Sequence, residues 1–309
     1  MPLIRKLDYI WIDGEMVAWD EAVDHVLAHT LHYGLGAFEG IRAYQQNDGK
    51  TAVFRLDEHL ERLIQSCRIC TIDIPYGKEA LKNACLEVIR QNRLAEAYLR
   101  PIAYLGYGAM GLGSLEPPVR TVIAAFEWGA YLGEEGVQKG IRVRVSSLRR
   151  AAIDAMMSKG KICGQYVNSV LAKREAMRDG YDEALLLDGN GHVAEGSGEN
   201  VFIVRGGIIQ TTPTSSCILA GITRDSVIRI ARDLGYHIEE RVFTVDELWC
   251  ADEVFLTGTA AEITPVRESD GRKIGTGEPG PVTRRLQGAF REVTKSNTGT
   301  RYSEWLTYL

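Results

Sequence analysis

The chain has 309 residues, of which 45% are apolar and 25% charged, so it can bury a large core and is long enough for two domains. Its net charge is −5 with both signs interspersed, and because there is no basic stripe we expect no nucleic-acid partner. The longest apolar runs are far too short to cross a bilayer, and the first residues lack a signal-peptide core. We therefore expect a cytoplasmic protein with no membrane partner.

The cysteines indicate neither a disulfide framework nor a metal centre. There are six, scattered at positions 67, 70, 85, 163, 217 and 250, and we expect reduced thiols. Cys67 and Cys70 have the spacing of half a metal site. They fall in a helical pattern, however, with no second cysteine pair and no histidine pair after them, so no metal is expected.

The first half of the chain mixes strands and helices in a way typical of an α+β domain. Periodicity predicts a hairpin over 9–19 that turns at Asp13-Gly14, a strand over 52–55, helices over 57–70 and 77–92, and strands over 97–105 and 119–127. A glycine-rich loop, 106–113, joins the last two strands. Residues 128–136 break every period and carry three glycines, which predicts a linker.

The second half begins with a predicted strand over 141–147 and a helix over 164–179 that ends at Gly180, a residue suited to a left-handed cap. The elements predicted after it are hairpins over 183–195 and 200–211, a helix over 223–234, a strand over 237–243, a short helix over 245–249, a strand over 253–257 and a helix over 281–293. We therefore predict a domain over 1–128, a linker over 129–136 and a domain over 137–309.

Two segments of the second half carry residues typical of chemistry at a carbonyl group. Lys161 lies beside small residues and a tyrosine, and Glu195 opens a glycine-rich bend. A lysine that condenses with an aldehyde must lose its proton near neutral pH, which burial or a nearby cation can arrange by lowering its pKa. The apolar segment 151–157 would provide burial, and helix 164–179 a positive dipole end. Lys159 is an equal candidate by this argument, and both lysines could simply be solvated.

Blocks of residues along the whole chain give Lys161 and Glu195 a context. In order, these blocks are Tyr9–Glu15, His32–Gly34, Phe38–Arg42, Phe54–Leu63, Tyr98–Pro101, Lys161–Tyr166, Glu195–Asn200, Gly221–Asp225 and Gly258–Pro265. With them the chain resembles, from Tyr9 to Leu309, the branched-chain amino acid aminotransferases of fold type IV, which depend on pyridoxal 5'-phosphate (PLP). The resemblance implies a small α+β N-terminal domain and a larger C-terminal PLP-binding domain of α/β type, with a β-barrel-like core and helices.

The resemblance also implies which residues hold the cofactor. Lys161 would be the catalytic residue that binds PLP covalently, and Tyr166 would donate to the ring phenolate. Glu195 would keep the pyridine nitrogen protonated, so that the ring can accept electrons from the substrate Cα. The other implied cofactor residues, most of them at the phosphate, are Arg62, Gly198, Asn200, Leu219, Ile222, Thr223 and Thr259. Without the resemblance, Arg62 would be a solvated arginine, Glu195 a turn carboxylate, Tyr166 a core tyrosine and Thr223 an ordinary helix cap.

For the substrate, the resemblance implies reversible transfer of the amino group of L-leucine, L-isoleucine or L-valine to 2-oxoglutarate. The implied substrate residues are Tyr33, Phe38, Gly40, Tyr98, Arg100, Met110, Leu112, Thr259 and Ala260. Arg100 and Tyr98 would meet the side-chain carboxylate of glutamate, and the amides of Thr259 and Ala260 the α-carboxylate. Tyr33 and loop 106–113 would come from a neighbouring subunit, so a homodimer or a higher homo-oligomer, with a hexamer possible, is implied.

Two other classes of protein compete with this interpretation. Another fold type IV enzyme, a D-amino acid aminotransferase or an aminodeoxychorismate lyase, would share the lysine, the glutamate and the phosphate residues. The block Tyr98–Pro101 and the glycine-rich loop 106–113 argue against both. A non-catalytic PLP-binding protein would not need Lys161 and Glu195 together with a complete set of substrate residues.

Overall fold

The computed structural model describes residues 4–113, 117–129, 131–295 and 301–309. The chain forms two compact units, described separately below. Unit 1 consists of 1–128, 160–165 and 293–309, and unit 2 of 129–159 and 166–292. Ala130, inside the predicted linker, lies outside the described residues, and a helix begins at Glu134 within that same segment. The predicted domain boundaries stay a prediction.

The elements are as follows. The strands are Tyr9–Ile12 (β1), Glu15–Ala18 (β2), Gly36–Phe38 (β3), Ile41–Gln45 (β4), Thr51–Phe54 (β5), Ala97–Leu105 (β6), Val119–Phe126 (β7), Ile141–Arg149 (β8), Glu183–Leu187 (β9), Val193–Gly196 (β10), Asn200–Arg205 (β11), Ile208–Thr211 (β12), Ile238–Glu240 (β13), Glu253–Gly258 (β14), Glu262–Ser269 (β15), Arg272–Lys273 (β16) and Leu306–Tyr308 (β17). The α-helices are His29–Tyr33 (α1), Leu56–Ile69 (α2), Lys78–Gln91 (α3), Glu134–Lys139 (α4), Tyr166–Arg178 (α5), Ile222–Asp233 (α6), Val245–Trp249 (α7) and Pro281–Lys295 (α8). Over the part of the chain that is described, no helix is both long and apolar enough to cross a membrane.

Unit 1 is an antiparallel sheet with helices α2 and α3 packed against it. Its strands lie in the order β17-β5-β4-β6-β7-β1-β2, and β3 pairs with β6. The helices predicted over 57–70 and 77–92 are present as α2 and α3, and each buries one apolar face, because Leu60 and Leu63 of α2 and Leu81 and Val88 of α3 are completely buried in one core. That core stabilises both helices, since burying each such side chain contributes roughly 1.5–3 kcal/mol. The predicted hairpin turn at Asp13-Gly14 is also present.

Unit 2 is a mixed sheet that closes on itself. Its path is β10-β9-β8-β15-β14-β11-β12-β13, and β10 also pairs with β11, so six strands form a ring. This ring is the barrel-like core expected for the larger domain. The pair that closes the ring is Glu195 of β10 with Asn200 of β11. The predicted cofactor residue Glu195 therefore lies where the chain bends tightly from β10 into β11.

Two predicted elements of unit 2 have different bounds in the structure. The helix expected over 164–179 begins at Tyr166, after a 3₁₀ turn over Cys163–Gln165. The strand expected over 237–243 is confined to Ile238–Glu240, because only those residues run parallel to β12 and pair with it. The two-glycine turn at Gly206-Gly207 is present as predicted, with positive φ at both residues, a conformation that glycine adopts without strain.

The start of helix α8 is held by a buried carboxylate from β14. Glu253 accepts hydrogen bonds from the backbone amides of Val282 and Thr283, at 3.0 and 2.7 Å, and from the Thr283 hydroxyl at 2.7 Å. The first amides of a helix lack partners within the helix, and a negative charge there also interacts favourably with its dipole. Glu253 therefore caps the helix and ties it to the ring.

We predict that Glu253→Ala destabilises unit 2 by about 2–3 kcal/mol, because it removes charge-assisted hydrogen bonds and leaves buried donors unpaired. Thermal and denaturant unfolding would measure the loss. Glu278→Ala, at an exposed position of the segment before α8, is the matched control and should change stability little. Equal stability of the two variants would contradict the capping role.

Candidate active site

The Lys161 segment is fixed through its backbone within unit 1. The Lys161 amide donates to the Ser66 hydroxyl of α2 at 3.0 Å, and its carbonyl accepts from the Phe38 amide of β3 at 3.1 Å. Its amine lies 5.0 Å from the centre of the Phe38 ring. The next residue, Ile162, bridges to Ala37. The lysine therefore stands on a rigid backbone with an aromatic face beside its amine.

A glycine is required three residues after the lysine because two backbones meet there. The Gly164 amide donates to the Gly34 carbonyl at 2.9 Å, and a Cβ on Gly164 would lie 3.2 Å from that oxygen. Gly34 itself has φ +73°, a conformation that favours glycine. The small residue beside the lysine thus serves a close backbone approach.

A buried ionic cluster surrounds the predicted phosphate residue Arg62. Its Nε and Nη2 donate to the two oxygens of Glu39 at 2.6 and 2.9 Å, and His59 Nδ1 lies 2.7 Å from Glu39 Oε2. Burial opposes ionisation of Glu39, but the charge of Arg62 and the contact with His59 hold the pKa of this carboxyl well below its usual range. A bidentate pair of this kind fixes the plane of the guanidinium. Arg62 is therefore held by Glu39 and is no solvated helix arginine, being 11% exposed.

His59 is the neutral member of the cluster. Burial lowers its pKa, and although the charge of Glu39 raises it, those of Arg62 and Lys161 lower it further. Because a neutral imidazole that contacts a carboxylate through Nδ1 must carry its proton there, His59 donates to Glu39 from Nδ1. The cluster thus contains one carboxylate and one guanidinium, with His59 as a neutral hydrogen-bond donor.

The predicted substrate residues of the sheet in unit 1 lie against one another. Gly40 and Tyr98 are in close contact, and a Cβ on Gly40 would collide with the Tyr98 hydroxyl. The Arg100 guanidinium lies over the rings of Phe38 and Tyr98, 5.0 and 5.5 Å from their centres. Its Nε is buried without a hydrogen-bond partner. Arg100 is a half-buried cation that lies over two aromatic rings and has one unused donor, which suits an anionic group of a ligand.

Three other predicted substrate residues of unit 1 are exposed in the single chain. The exposed fractions are 42% for Tyr33, 41% for Met110 and 87% for Leu112. Tyr33 lies at the end of α1 and contacts the ring of His29, whose Nε2 in turn lies 3.2 Å from the Gly111 carbonyl. The single chain therefore presents these apolar side chains at its surface.

In unit 2 the carboxylate of Glu195 is held on both oxygens. Arg150 Nε lies 2.9 Å from Oε1, and the Leu219 amide donates to Oε2 at 3.1 Å. The Asn200 side-chain amide, opposite Glu195 in the ring closure, donates to the Leu219 carbonyl at 3.0 Å. The bend 195–200 and the loop at Leu219, which both carry predicted cofactor residues, are thus brought together by Glu195 and Asn200. Arg150 was not predicted.

The start of helix α6 differs from the simplest interpretation of the sequence. The N-cap is Gly221, no side chain caps the helix, and Thr223 lies buried inside its first turn, so a helix capped by Thr223 is wrong. A Cβ on Gly221 would collide with the Asn200 side chain. Only a glycine therefore lets the helix begin this close to the bend. The N-terminus of a helix of this length, with its first amides directed outward, is suited to a phosphate.

The remaining predicted residues of unit 2 have these positions. Tyr166 is the first residue of α5 and is half-buried, as are Thr259 and Ala260 in the turn after β14, whereas Gly198 is exposed. Just before that turn, the Thr257 hydroxyl is buried with no hydrogen-bond partner. The start of α6, the unpaired Thr257 hydroxyl and the Glu195 carboxylate form a donor and acceptor set that fits the phosphate and ring nitrogen of PLP.

Lys159, the rival lysine, is engaged in unit 2. Its ammonium donates to the carbonyls of Ser216 and Ile218 at 2.6 and 2.9 Å. The apolar segment expected to bury the lysine is exposed throughout 151–157, so that expectation is wrong. The segment is irregular, with a turn at 153–155. Lys159 therefore anchors the loop 216–218.

The cysteine pair has a packing role. Burial raises the pKa of Cys67 to about 12 and that of Cys70 to about 11, and both lie in the core of unit 1. Among the described residues, no group of three or more histidine, cysteine or acidic side chains is arranged to hold a metal ion.

Four charged or polar residues of these clusters were missed in the sequence. Glu39 and His59 fall inside blocks that carry the resemblance, but nothing in their spacing shows that they meet Arg62. Arg150 follows a strand and looks like a surface residue. Glu199 lies in the glycine-rich bend that Glu195 opens, where a solvated carboxylate would be expected, yet it is only 4% exposed. The available signal was an ionisable residue beside apolar or glycine residues, as at Glu39 and Glu199, which can indicate a buried charge.

Glu199 is a buried carboxyl beside an ion pair. Burial first, and then the charge of Glu183, raise the pKa of Glu199 well above its usual range, while Lys173, which pairs with Glu183, opposes the shift. Because its pKa is higher in the folded than in the unfolded protein, the folded protein retains a proton that the unfolded chain releases. Stability must therefore fall as the pH rises from the ordinary glutamate pKa through the raised one.

We predict that Glu199→Gln removes this loss of stability, so that the variant gains on the parent protein as the pH rises from about 5 to about 9. Glutamine keeps the shape of the neutral acid and cannot ionise. Denaturant unfolding at several pH values would measure the effect, with Glu278→Gln as the exposed control. An unchanged pH dependence in Glu199→Gln would contradict the assignment.

Comparison with known proteins agrees with these features. The family model "Amino-transferase class IV" matches residues 36–269. The branched-chain-amino-acid aminotransferase of Pseudomonas aeruginosa is 48% identical over 307 residues, which is 99% of each chain. The crystal structure of the Escherichia coli branched-chain amino acid aminotransferase is similar with a TM-score of 0.93 and 45% identity, covering 97% of this chain and 99% of the other. The PLP-bound enzyme of Thermobaculum terrenum has a TM-score of 0.91 and 36% identity, covering 98% of each chain.

The family and the fold type predicted from the sequence are therefore confirmed. The matched region contains Lys161, Glu195 and the other predicted cofactor residues. Because the family model matches most of the chain and a relative close to half identical spans nearly all of it, the chain belongs to the class IV aminotransferases and, among them, to the branched-chain amino acid aminotransferases.

Proposed function

We propose that this enzyme catalyses the reversible PLP-dependent transamination of L-leucine, L-isoleucine and L-valine with 2-oxoglutarate, giving branched-chain 2-oxo acids and L-glutamate. The observation that carries the proposal is the 48% identity, over 99% of both chains, to a branched-chain-amino-acid aminotransferase. The unpaired Nε of Arg100, whose guanidinium lies over the rings of Phe38 and Tyr98, supports it, because an apolar site that must also accept glutamate needs a cation. A D-amino acid aminotransferase or an aminodeoxychorismate lyase is the alternative.

The residues that would hold the cofactor are those predicted from the resemblance. Lys161 would attach it through its amine, and Arg62, oriented by Glu39, would bind its phosphate. The amides of Ile222 and Thr223 and the Thr259 hydroxyl would also bind the phosphate, Tyr166 would donate to the phenolate, and Glu195 would face the pyridine nitrogen. Gly198, Asn200 and Leu219 shape that part of the site. Bound PLP supplies an electron-accepting ring that makes the substrate Cα–H bond acidic.

The chain's own residues move the proton. As a free amine, Lys161 would take the proton from the substrate Cα and would deliver it to the cofactor carbon that bears the transferred amino group. The fixed Lys161 backbone limits the positions that the amine can reach. Glu195 holds a proton at the ring nitrogen because its carboxylate remains ionised. A second oxo acid then runs the same steps in reverse.

Substrate binding requires one site for two kinds of side chain. Phe38, with Tyr33, Met110 and Leu112, would line the apolar region. Arg100, with Tyr98, would meet the γ-carboxylate of glutamate, and the amides of Thr259 and Ala260 the α-carboxylate. Gly40 leaves room for Tyr98, since any side chain there would displace the hydroxyl.

The assembly we propose is a homodimer or a larger homo-oligomer in which a neighbouring subunit supplies Tyr33 and the loop 106–113. The exposure of Tyr33, Met110 and Leu112 in the single chain supports this, because three large apolar side chains are stabilised by burial in an interface. Light scattering of the holoenzyme would give the subunit number. A cytoplasmic location and a domain boundary at 129–136 are further proposals that rest on the sequence.

We predict that Lys161→Ala lowers kcat by several orders of magnitude, because it removes both the attachment of the cofactor and the group that moves the proton. Borohydride reduction followed by peptide mapping should place the phosphopyridoxyl group on Lys161. Lys159→Met is the control. It should lower the melting temperature through loss of two carbonyl contacts and retain the modification at Lys161. A phosphopyridoxyl group on Lys159 would end the assignment.

We predict that Arg100→Leu affects one half-reaction far more than the other. A glutamate carboxylate in an apolar site is costly without a cation, whereas leucine makes no such demand. The kcat/KM for glutamate should fall by at least ~10²-fold, about 2.7 kcal/mol, and that for leucine far less. Stopped-flow spectra of the separate half-reactions give the comparison, with Arg68→Leu on the exposed face of α2 as control. Equal losses would mean that Arg100 binds the shared α-carboxylate or only supports the sheet.

One activity assay separates the proposed function from its alternatives. Purified holoenzyme with L-leucine and 2-oxoglutarate should form L-glutamate. Turnover of D-amino acids, or of aminodeoxychorismate, in place of L-leucine would favour the alternative enzymes.

A further inference from the structure

We propose that Arg150 is a positioning residue for the reaction, which keeps the Glu195 carboxylate ionised and oriented and thereby sets how firmly the cofactor's ring nitrogen retains its proton. The inference rests on the proposed role of Glu195 and extends it to a residue outside the predicted site. It concerns only contacts within unit 2.

Among the described residues, Arg150 forms an ion pair with one carboxylate, that of Glu195. Its Nε lies 2.9 Å from Glu195 Oε1 and donates a hydrogen bond to the Cys217 carbonyl at 3.4 Å. The side chains are 12% and 10% exposed, so water screens the pair only weakly. The Leu219 amide donates to Oε2, so one oxygen of Glu195 accepts a hydrogen bond and the other lies beside the charge of Arg150.

The loop that supplies the Leu219 amide is held by side chains of the segment 150–159 and by Asn200. Lys159 donates to the Ser216 and Ile218 carbonyls, and Asn200 donates to the Leu219 carbonyl. Arg150 and Lys159 therefore fix the loop at two points while Arg150 also pairs with Glu195. A displacement of Arg150 would remove the cation beside Oε1 and would loosen the loop that carries the Leu219 amide.

The other ionisable groups near this carboxylate do not replace Arg150. Lys159 and Glu195 attract each other, but the ammonium is already committed to two carbonyls. The charge of Arg224 lowers the pKa of Lys159, and the Arg224 guanidinium donates hydrogen bonds to the Thr212 carbonyl and to Glu240. Cys217 and Glu199 are buried, and burial raises the pKa of both, which keeps them uncharged. Arg150 is thus the guanidinium that pairs directly with Glu195.

The chemical consequence follows from where one proton resides. A carboxylate stabilised by an arginine is a weak base, so the proton shared with a ring nitrogen stays on the nitrogen. Without the arginine, a nearly buried Glu195 favours its neutral acid, which takes that proton and leaves the ring nitrogen neutral. Removing Arg150 should therefore resemble removing the charge of Glu195.

The test is a double-mutant cycle on the holoenzyme with Arg150→Met, Glu195→Gln and the double variant, reconstituted with ¹⁵N-ring-labelled PLP. The ¹⁵N chemical shift of the ring nitrogen and kcat are measured for each. Arg150→Met alone should move the shift towards neutral pyridine and lower kcat by roughly 10–100-fold, and it should add little in the Glu195→Gln background. Arg150→Lys should restore part of both.

The variant Arg149→Met and the single variant Glu195→Gln serve as controls and distinguish the possible failures of the inference. Arg149→Met, at the exposed neighbouring arginine, should leave the shift and kcat unchanged. Equal effects of Arg150→Met in both backgrounds, or a loss of kcat with an unchanged shift, would make Arg150 a merely structural residue and overturn the inference. An unchanged shift in Glu195→Gln alone would instead refute the proposed role of Glu195, on which the inference depends.

Discussion

A carboxylate removed from water must be met by a cation or by several N–H donors, and this constraint organises both units of the chain. In unit 1, Glu39 is completely buried and takes two hydrogen bonds from Arg62. In unit 2, Glu195 is met by Arg150 and a backbone amide, and Glu253 by the first turn of α8. Each buried acid thereby fixes the geometry of a neighbour that the proposed chemistry or the fold needs.

Pairing of this kind orients functional groups more than it adds stability. A buried ion pair recovers little more than its desolvation cost, but its loss leaves an uncompensated charge, so the native arrangement is strongly favoured over small distortions. The plane of the Arg62 guanidinium is fixed by Glu39, and the Glu195 carboxylate is held by one backbone amide and the charge of Arg150. The residues proposed to meet a phosphate and a ring nitrogen are therefore oriented before any ligand arrives, and ligand binding need not supply the entropy of ordering them.

Close backbone approaches are the second device that builds these clusters. Gly40 makes room for Tyr98, Gly164 for the Gly34 carbonyl, and Gly221 for Asn200. At each position a side chain would displace a residue with a proposed function or the backbone that supports one. The glycines in the predicted motifs thus have steric reasons that the sequence alone could not supply, because the atoms that they avoid lie far away along the chain.

The sequence by itself determined the family, the longer elements and the apolar stripes of α2 and α3. Long helices and strands repeat their pattern often enough to be recognised, as in β6, which matches its predicted bounds, whereas α1, β3 and β17 span five residues or fewer and were missed. The ordered blocks also identified Lys161, Arg62 and Glu195 as candidates, because a resemblance compares residue types at fixed positions.

Only the tertiary structure decided how these residues are supported. Each of these contacts joins residues that are distant in sequence. Glu39 contacts Arg62, Arg150 contacts Glu195, Gly221 at the start of α6 contacts Asn200, and Lys159 binds the loop 216–218. Local periodicity reports which face of an element is apolar. It carries no information about which charge on one element will face which charge on another, because that is set by strand order and by the closure of the ring between Glu195 and Asn200.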